Sequence, residues 1–284
     1  MKTRFDEMLG MTTMGATKDT ILPMVRQIHD AGFRSVEIIA PIALAAREYP
    51  PSLRDELKAA LRRFEWVSVH AQTALVERAE QLETPAERDA LLQPHVDMMR
   101  FTHEVGGRVV TWHPFMPHKY EIMLAHRFDD QDAIAHHVEA GRYLLEHARR
   151  LGLTIGFEAF DTRIVDPIHD RRWGSLFDIG HASQNGARAP FEDLTEQALN
   201  MIGERLDRIV QFHLHGVSRS GDSFRAHQPL DENNLVDYGR IMSLLAERDF
   251  QGPLIFEILR KADEPMCFDE TVASSVAARR RLMG

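Results

Sequence analysis

The sequence predicts one α/β domain over residues 1–284, a closed (β/α)₈ barrel. Three observations predict it. Short runs rich in Val, Ile and Phe alternate with longer stretches of helical period, the pattern of parallel strands joined by helices. Eight such pairs follow one another along the chain. The later strand runs end repeatedly in His, Glu or Asp, at the end of the strand where barrels of this kind carry their chemistry.

The first strand is placed at Glu7–Thr12. A helix follows with Ile21, Leu22, Val25 and Ile28 on one face and Gly32 as its stop. Arg34–Ile39 is the second strand, and Ser52–Phe64 a helix with Leu57, Leu61 and Phe64 on its apolar side. The third strand is Trp66–His70. Thr84-Pro85-Ala86-Glu87 then reads as a capping box opening a helix that runs to Gly106-Gly107. Strand four is Val109–His113, followed by a helix from Asp130 to Gly152. Strand five is Thr154–Glu158 and strand six Ser175–Asp178, with little or no helix between them. A helix near Glu192–Arg205 leads to strand seven, Ile209–His215. A helix near Tyr238–Arg248 leads to strand eight, Leu254–Glu257, and a closing helix covers the C-terminus.

No Pro/Gly-rich linker or low-complexity segment divides the 284 residues, and roughly 250 residues is the usual size of one such barrel. The formal net charge of −9 argues against a general polyanion binder. The single cysteine, Cys267, excludes a disulfide within the chain and suits a reducing compartment. The start of the chain lacks the apolar core of a signal peptide, and no apolar run is long enough to span a bilayer. The expected location is therefore the cytoplasm. The expected partner is a small-molecule substrate, with no nucleic acid and no membrane. A homo-oligomer is admitted but not required.

The unusual feature is histidine, of which there are 15. His70, His113, Glu158, Asp178, His215 and Glu257 close their strands. His181 follows Asp178 by three residues, and His227 lies in the loop after strand seven. A barrel brings strand ends to one mouth, so these residues converge. Carboxylates and imidazoles without a thiolate suit Zn, Mn, Co or ferrous iron better than calcium. Three carboxylates meeting without a cation would repel one another. Any one of these residues alone is more simply structural; the repetition at one position of the fold favours a metal. His213 and His215 share a strand and are expected to point opposite ways, with His215 at the mouth. His29, His95, His103, His136, His137 and His147 fall on helices and are read as surface or core residues.

The chain also resembles the xylose isomerase-like TIM barrels, which include sugar isomerases and epimerases, inosose dehydratases, hydroxypyruvate isomerases and endonuclease IV. The resemblance spans nearly the whole chain. It is carried by Gly32-Phe33-Arg34-Ser35-Val36-Glu37, Val69-His70-Ala71, Thr111-Trp112-His113-Pro114, Phe157-Glu158, Phe177-Asp178-Ile179-Gly180-His181, His213-Leu214-His215 and Gly252-Pro253-Leu254-Ile255-Phe256-Glu257. Each motif is short, and their order and spacing carry the specificity. The epimerase branch implies one metal on Glu158, Asp178, His215 and Glu257, proton exchange by Glu158 and Glu257, and substrate contact by His181. The endonuclease IV branch implies three zinc ions on nine ligands. Eight of these match here: His70, His113, Glu158, Asp178, His181, His215, His227 and Glu257. The ninth, an Asp, is replaced by Arg225, and Asp222 has the wrong spacing to substitute for it.

The resulting expectation is a divalent-metal enzyme (Mn, Zn or Co) that isomerises or epimerises a small sugar or ketose. The metal would be held by Glu158, Asp178, His215 and Glu257, with Glu158 and Glu257 as general base and acid. His70, His113, His181, His227 and Arg225 would bind substrate or a second metal. Arg225 or Arg219 would grip a substrate phosphate or carboxylate. The alternatives are a phosphodiester hydrolase with two or three metals, of the endonuclease IV or cobamide-remodelling kind, and a lyase of the inosose dehydratase kind. The loops after strands two and five lack the aromatic and basic insertions that hold a bent duplex, which disfavours DNA as substrate. The carboxylate–imidazole set disfavours a barrel that only binds.

Overall fold

The computed structural model describes residues 2–71, 84–115, 130–159, 161–185, 193–221, 223–262 and 264–284. Seven parallel strands lead in chain order from β1 (Leu9–Thr12) through β2 (Ser35–Ile39), β3 (Trp66–His70), β4 (Val109–Trp112), β5 (Thr154–Glu158) and β6 (Trp173–Asp178) to β7 (Ile209–Leu214). An antiparallel pair, β8 (Gly216–Ser220) and β9 (Ser223–Gln228), stands outside the barrel. β10 (Leu254–Phe256) then pairs with both β7 and β1 and closes the eight-stranded ring. The predicted barrel is the observed fold.

The helices are α1 (Lys2–Met8), α2 (Ile21–Asp30), α3 (Ala40–Ala45), α4 (Pro51–Leu61), α5 (Pro85–Glu104), α6 (Gln131–Leu151), α7 (Thr162–Val165), α8 (Ile179–Asn185), α9 (Leu194–Arg205), α10 (Tyr238–Glu247) and α11 (Phe268–Met283). Their ends follow local chemistry. The Thr84 hydroxyl accepts from the Glu87 N–H at 3.3 Å, and Asp130 accepts from the N–H groups of Asp132 and Ala133, satisfying donors that a helix start leaves open. Gly152 ends α6 at φ 72°, a left-handed cap that glycine adopts without strain. None of the described helices is long and apolar enough to cross a membrane.

The starts of β1 and β6 differ by two residues from the sequence reading. Glu7 and Met8 are helical rather than extended, because Phe5 and Met8 lie about one helical turn apart and both are buried. β6 begins at Trp173, two residues earlier than expected. The Trp173 side chain is buried, and its ring stacks on Phe157 with centroids 5.9 Å apart. The four-residue α7 agrees with the expectation of little or no helix between β5 and β6, and the expected start of α9 at Glu192 lies outside the described residues.

Strand alternation sorts the side chains. Trp112, Phe157, Phe212 and Leu214 belong to the buried apolar clusters of the molecule. Their neighbours Thr111, Glu158, Gln211 and His213 are buried polar groups that meet residues of other strands across the barrel. The barrel therefore has a polar interior toward its mouth, and that polarity builds the site.

Candidate metal centre

Glu37, in the middle of β2, lies at the base of the site and is fully buried. Its carboxylate accepts from Ser68 Oγ at 3.2 Å, Thr111 Oγ1 at 3.1 Å and Gln211 Nε2 at 2.5 Å. The His213 Nε2–H donates to the other oxygen at 2.9 Å. Burial drives the Glu37 pKa up, but the charge and hydrogen bond of His213 outweigh it and leave the pKa lowered. The bond also fixes the imidazole: with its proton on Nε2, the neutral ring presents a bare Nδ1 upward.

That Nδ1 is buried and makes no hydrogen bond. It lies 3.2 Å from Glu257 Oε2, 3.9 Å from Glu158 Oε1 and 3.9 Å from Asp178 Oδ2. Three carboxylates thus approach one imidazole nitrogen, and ligand atoms of Glu158, Asp178 and His213 lie within 4.8 Å of one another. Burial favours the neutral acid in all three carboxyls, yet each pKa is lowered. His113 is the chief opposing charge for Glu158, His181 for Asp178 and His213 for Glu257, whose pKa falls to about 2. The same carboxylates hold His213 well above its ordinary value against the burial that lowers it. An anionic, desolvated N/O donor set with a bare imidazole nitrogen fits a divalent transition metal.

The orientation of the two β7 histidines is a correction. His213 and His215 are two residues apart, and by the alternation of a strand they share a face; they do not point opposite ways. Height along the barrel separates them. His213 is in register with Asp178 on one side and with Ile255, two residues before Glu257, on the other. His215 stands one residue beyond β7, and its Nε2 lies 2.9 and 3.1 Å from the two Asp178 oxygens. His215 therefore meets Asp178 alone of the three carboxylates at these distances, and His213 is the imidazole that all three approach. Glu37 was also absent from the expected site. Its signal was a lone acid inside the apolar strand Val36–Ile39, which has no packing rationale unless something pairs with it.

A second convergence adjoins the first. His70 Nε2 and His113 Nε2 are 3.2 Å apart, and Glu158 Oε2 lies 3.3 Å from one and 3.0 Å from the other. Hydrogen bonding to Glu158 and the nearby negative charges overcome burial and raise the His70 pKa to about 9. His181 and His227 sit beyond Asp178, with ring centroids 5.0 Å apart. The His227 Nδ1–H donates to the Glu257 carbonyl at 3.1 Å, and the residue holds φ 57°. Burial and the His215 charge lower its pKa to about 4. Arg225 lies on β9 and lines a cleft of about 500 Å³ with Arg219 and Lys261 whose walls include none of the strand-end ligands. Asp222 lies outside the described residues. The helical histidines are where the sequence put them. Among these, His137 accepts the Phe115 N–H at 2.9 Å and so steadies the chain just after His113.

The sequence model of the family described as xylose isomerase-like TIM barrel matches residues 25–274. No curated protein sequence gives a significant match. Similar solved structures include a D-tagatose 3-epimerase-like protein, with 17% identity, TM-score 0.67 and 96% of each chain covered. Another is a xylose isomerase-like TIM barrel protein from Mycobacterium smegmatis in complex with magnesium, with 16% identity, TM-score 0.65, and 95% of this chain and 89% of that one covered. A D-psicose 3-epimerase determined in the presence of D-fructose has 14% identity and TM-score 0.68, covering 97% and 99%. At these identities the structures share the fold.

Proposed function

Because the chain belongs to the xylose isomerase-like TIM-barrel family, we propose that it is a divalent-metal-dependent isomerase or epimerase of a small sugar or related ketose. The observation that carries the reading is the closure of Glu158, Asp178 and Glu257 around His213 Nδ1. A cation bound by these four residues, with Mn, Zn and Co the favoured identities, supplies Lewis acidity toward a carbonyl and its neighbouring hydroxyl. An epimerase-like protein and an epimerase among the fold relatives, and a third relative in complex with magnesium, support this choice.

The protein's own groups perform the proton movements. Glu257, with a pKa of about 2, is ionised at neutral pH and serves as the base toward a C–H next to the carbonyl. Glu158 acts from the other side. His70 Nε2 lies 3.3 Å from Glu158 Oε2 and, at a pKa of about 9, keeps a proton to return through it. His181 and His227 line the mouth beside Asp178 and orient substrate hydroxyls. Arg225 and Arg219 serve a substrate anion from the adjoining cleft.

The test is turnover of a panel of ketoses in deuterium oxide. Deuterium should enter the carbon next to the carbonyl, and Glu158→Gln and Glu257→Gln should each lose on the order of 10²–10⁴-fold in rate. A second reading, phosphodiester hydrolysis with two metals, rests on the convergence of His70 and His113 on Glu158. Two ions per chain and entry of ¹⁸O from water into phosphate, with no deuterium on carbon, would transfer the assignment to it. A lyase shares the first proton abstraction and is recognised by loss of water from the product.

A further inference from the structure

We infer that His215 is a positioning residue: its imidazole orients the Asp178 carboxylate toward the metal centre, and residue 180 is glycine to admit that ring. The inference rests on the reading of Asp178 as a metal ligand.

The tautomer of His215 can be read from its partners. The backbone N–H of His227 points at His215 Nδ1 from 2.8 Å, and the Gly216 carbonyl lies 3.2 Å from the same nitrogen. The shorter contact is with the N–H donor, and a ring nitrogen that accepts an N–H carries no proton, so the proton of the neutral ring sits on Nε2. Nε2 then donates to Asp178, at 2.9 Å to Oδ1 and 3.1 Å to Oδ2. In this form neither nitrogen has a lone pair left for a cation. His181, His215 and His227 have ring nitrogens within 4.8 Å of one another, but with His215 in this form the set offers two imidazoles for a cation rather than three.

Everything around His215 holds this orientation. Its carbonyl accepts from the Tyr238 hydroxyl at 2.5 Å, and its own N–H donates back to that oxygen at 3.2 Å. Burial raises the Tyr238 pKa, so the phenol remains a donor. Asp178 Oδ1 also receives the His181 N–H at 2.7 Å. Two N–H groups therefore hold Oδ1, and Oδ2 is the oxygen 3.9 Å from His213 Nδ1. The ring lies flush against the start of α8. A methyl group on Gly180 would come within 1.9 Å of His215 Cε1 and 2.4 Å of Nδ1. The same short segment thus supplies the carboxylate and clears the space for the group that aims it.

The experiment is cobalt(II) titration of the full chain, read by calorimetry and by the visible d–d bands, with thermal unfolding to confirm folding. His215→Ala should weaken cobalt binding by roughly 10–100-fold, the usual effect of losing a group that orients a ligand. The bands should shift while the number of ions per chain stays the same. His215→Gln, which keeps an N–H near the Nε2 position, should recover most of the loss. Gly180→Ala should weaken binding by displacing the ring, and Gly180→Ala combined with His215→Ala should be no weaker than His215→Ala alone. Unchanged affinity in His215→Ala, or the loss of one whole ion with the other unaffected, overturns the inference. A wild-type chain that binds no cobalt overturns the metal-centre reading itself, which is a separate result.

Discussion

At the scale of single residues, the group that decides the centre is Glu37, which touches no expected ligand position in the sequence and yet aims His213. It accepts four hydrogen bonds in a buried site. Glu37→Gln turns one acceptor into a donor facing other donors. Metal affinity should fall roughly 10–100-fold, and unfolding free energy by about 1–3 kcal/mol for the polar groups left unmatched. Manganese titration and urea unfolding measure the two, and an unchanged affinity would remove Glu37 from the site. Most of the strand-end ligands were legible because apolar strands ending in His, Glu or Asp have no packing explanation. The choice between His213 and His215 was not, because it depends on how far up the barrel each strand reaches. The register of β6 against β7, which sets Asp178 beside His213, has no local signature.

Among the elements, α6 shows how firmly local chemistry fixes the frame. Asp130→Ala removes a side chain that caps two N–H groups and should cost about 1 kcal/mol. Gly152→Ala forces a methyl group into a left-handed position at φ 72° and should cost about 1–2 kcal/mol. Gly152 precedes β5 at the end opposite Glu158, so its variant should bind metal normally; an altered affinity would show that the frame and the centre are more tightly linked than proposed. Ends of this kind were readable in advance because the cap lies in the sequence itself. The starts of β1 and β6 were not. Phe5 and Met8 read equally well as strand or helix over so short a run, and Trp173 joins β6 through its packing against Phe157, a long-range contact.

For the molecule as a whole, the centre sets the response to pH. In the metal-free chain the pKa of Glu257 falls from 4.5 to about 2. Its stabilising contribution is present above about pH 4.5 and is lost as pH falls toward 2. His70 is raised from 6.5 to about 9, so its contribution is complete below about 6.5 and is lost as pH rises through 9. Denaturant midpoints of the metal-free chain should form a plateau between these limbs. The carboxylates that hold the His213 pKa well above its ordinary value favour a proton on the ring in competition with a cation, and coordination requires the neutral form. Metal affinity should therefore increase with pH, and calorimetry in buffers of different ionisation enthalpy should show about one proton released per ion. A heat of binding independent of buffer would mean that His213 is already neutral.

The Glu37–His213 bond joins residues 176 positions apart, and Gln211 reaches the same carboxylate from β7. β2 and β7 lie on either side of the β1–β10 seam where the barrel closes. A nascent or refolding chain has no such neighbourhood until that seam is made, since contacts between distant segments form only after the entropy of closing a long loop has been overcome. The bare imidazole nitrogen therefore comes into being with ring closure. A fragment ending before β7 would carry Glu158 and Asp178 but neither His213 nor Glu257 and capture no ion tightly, and the moment of ion uptake during refolding would time the completion of the barrel.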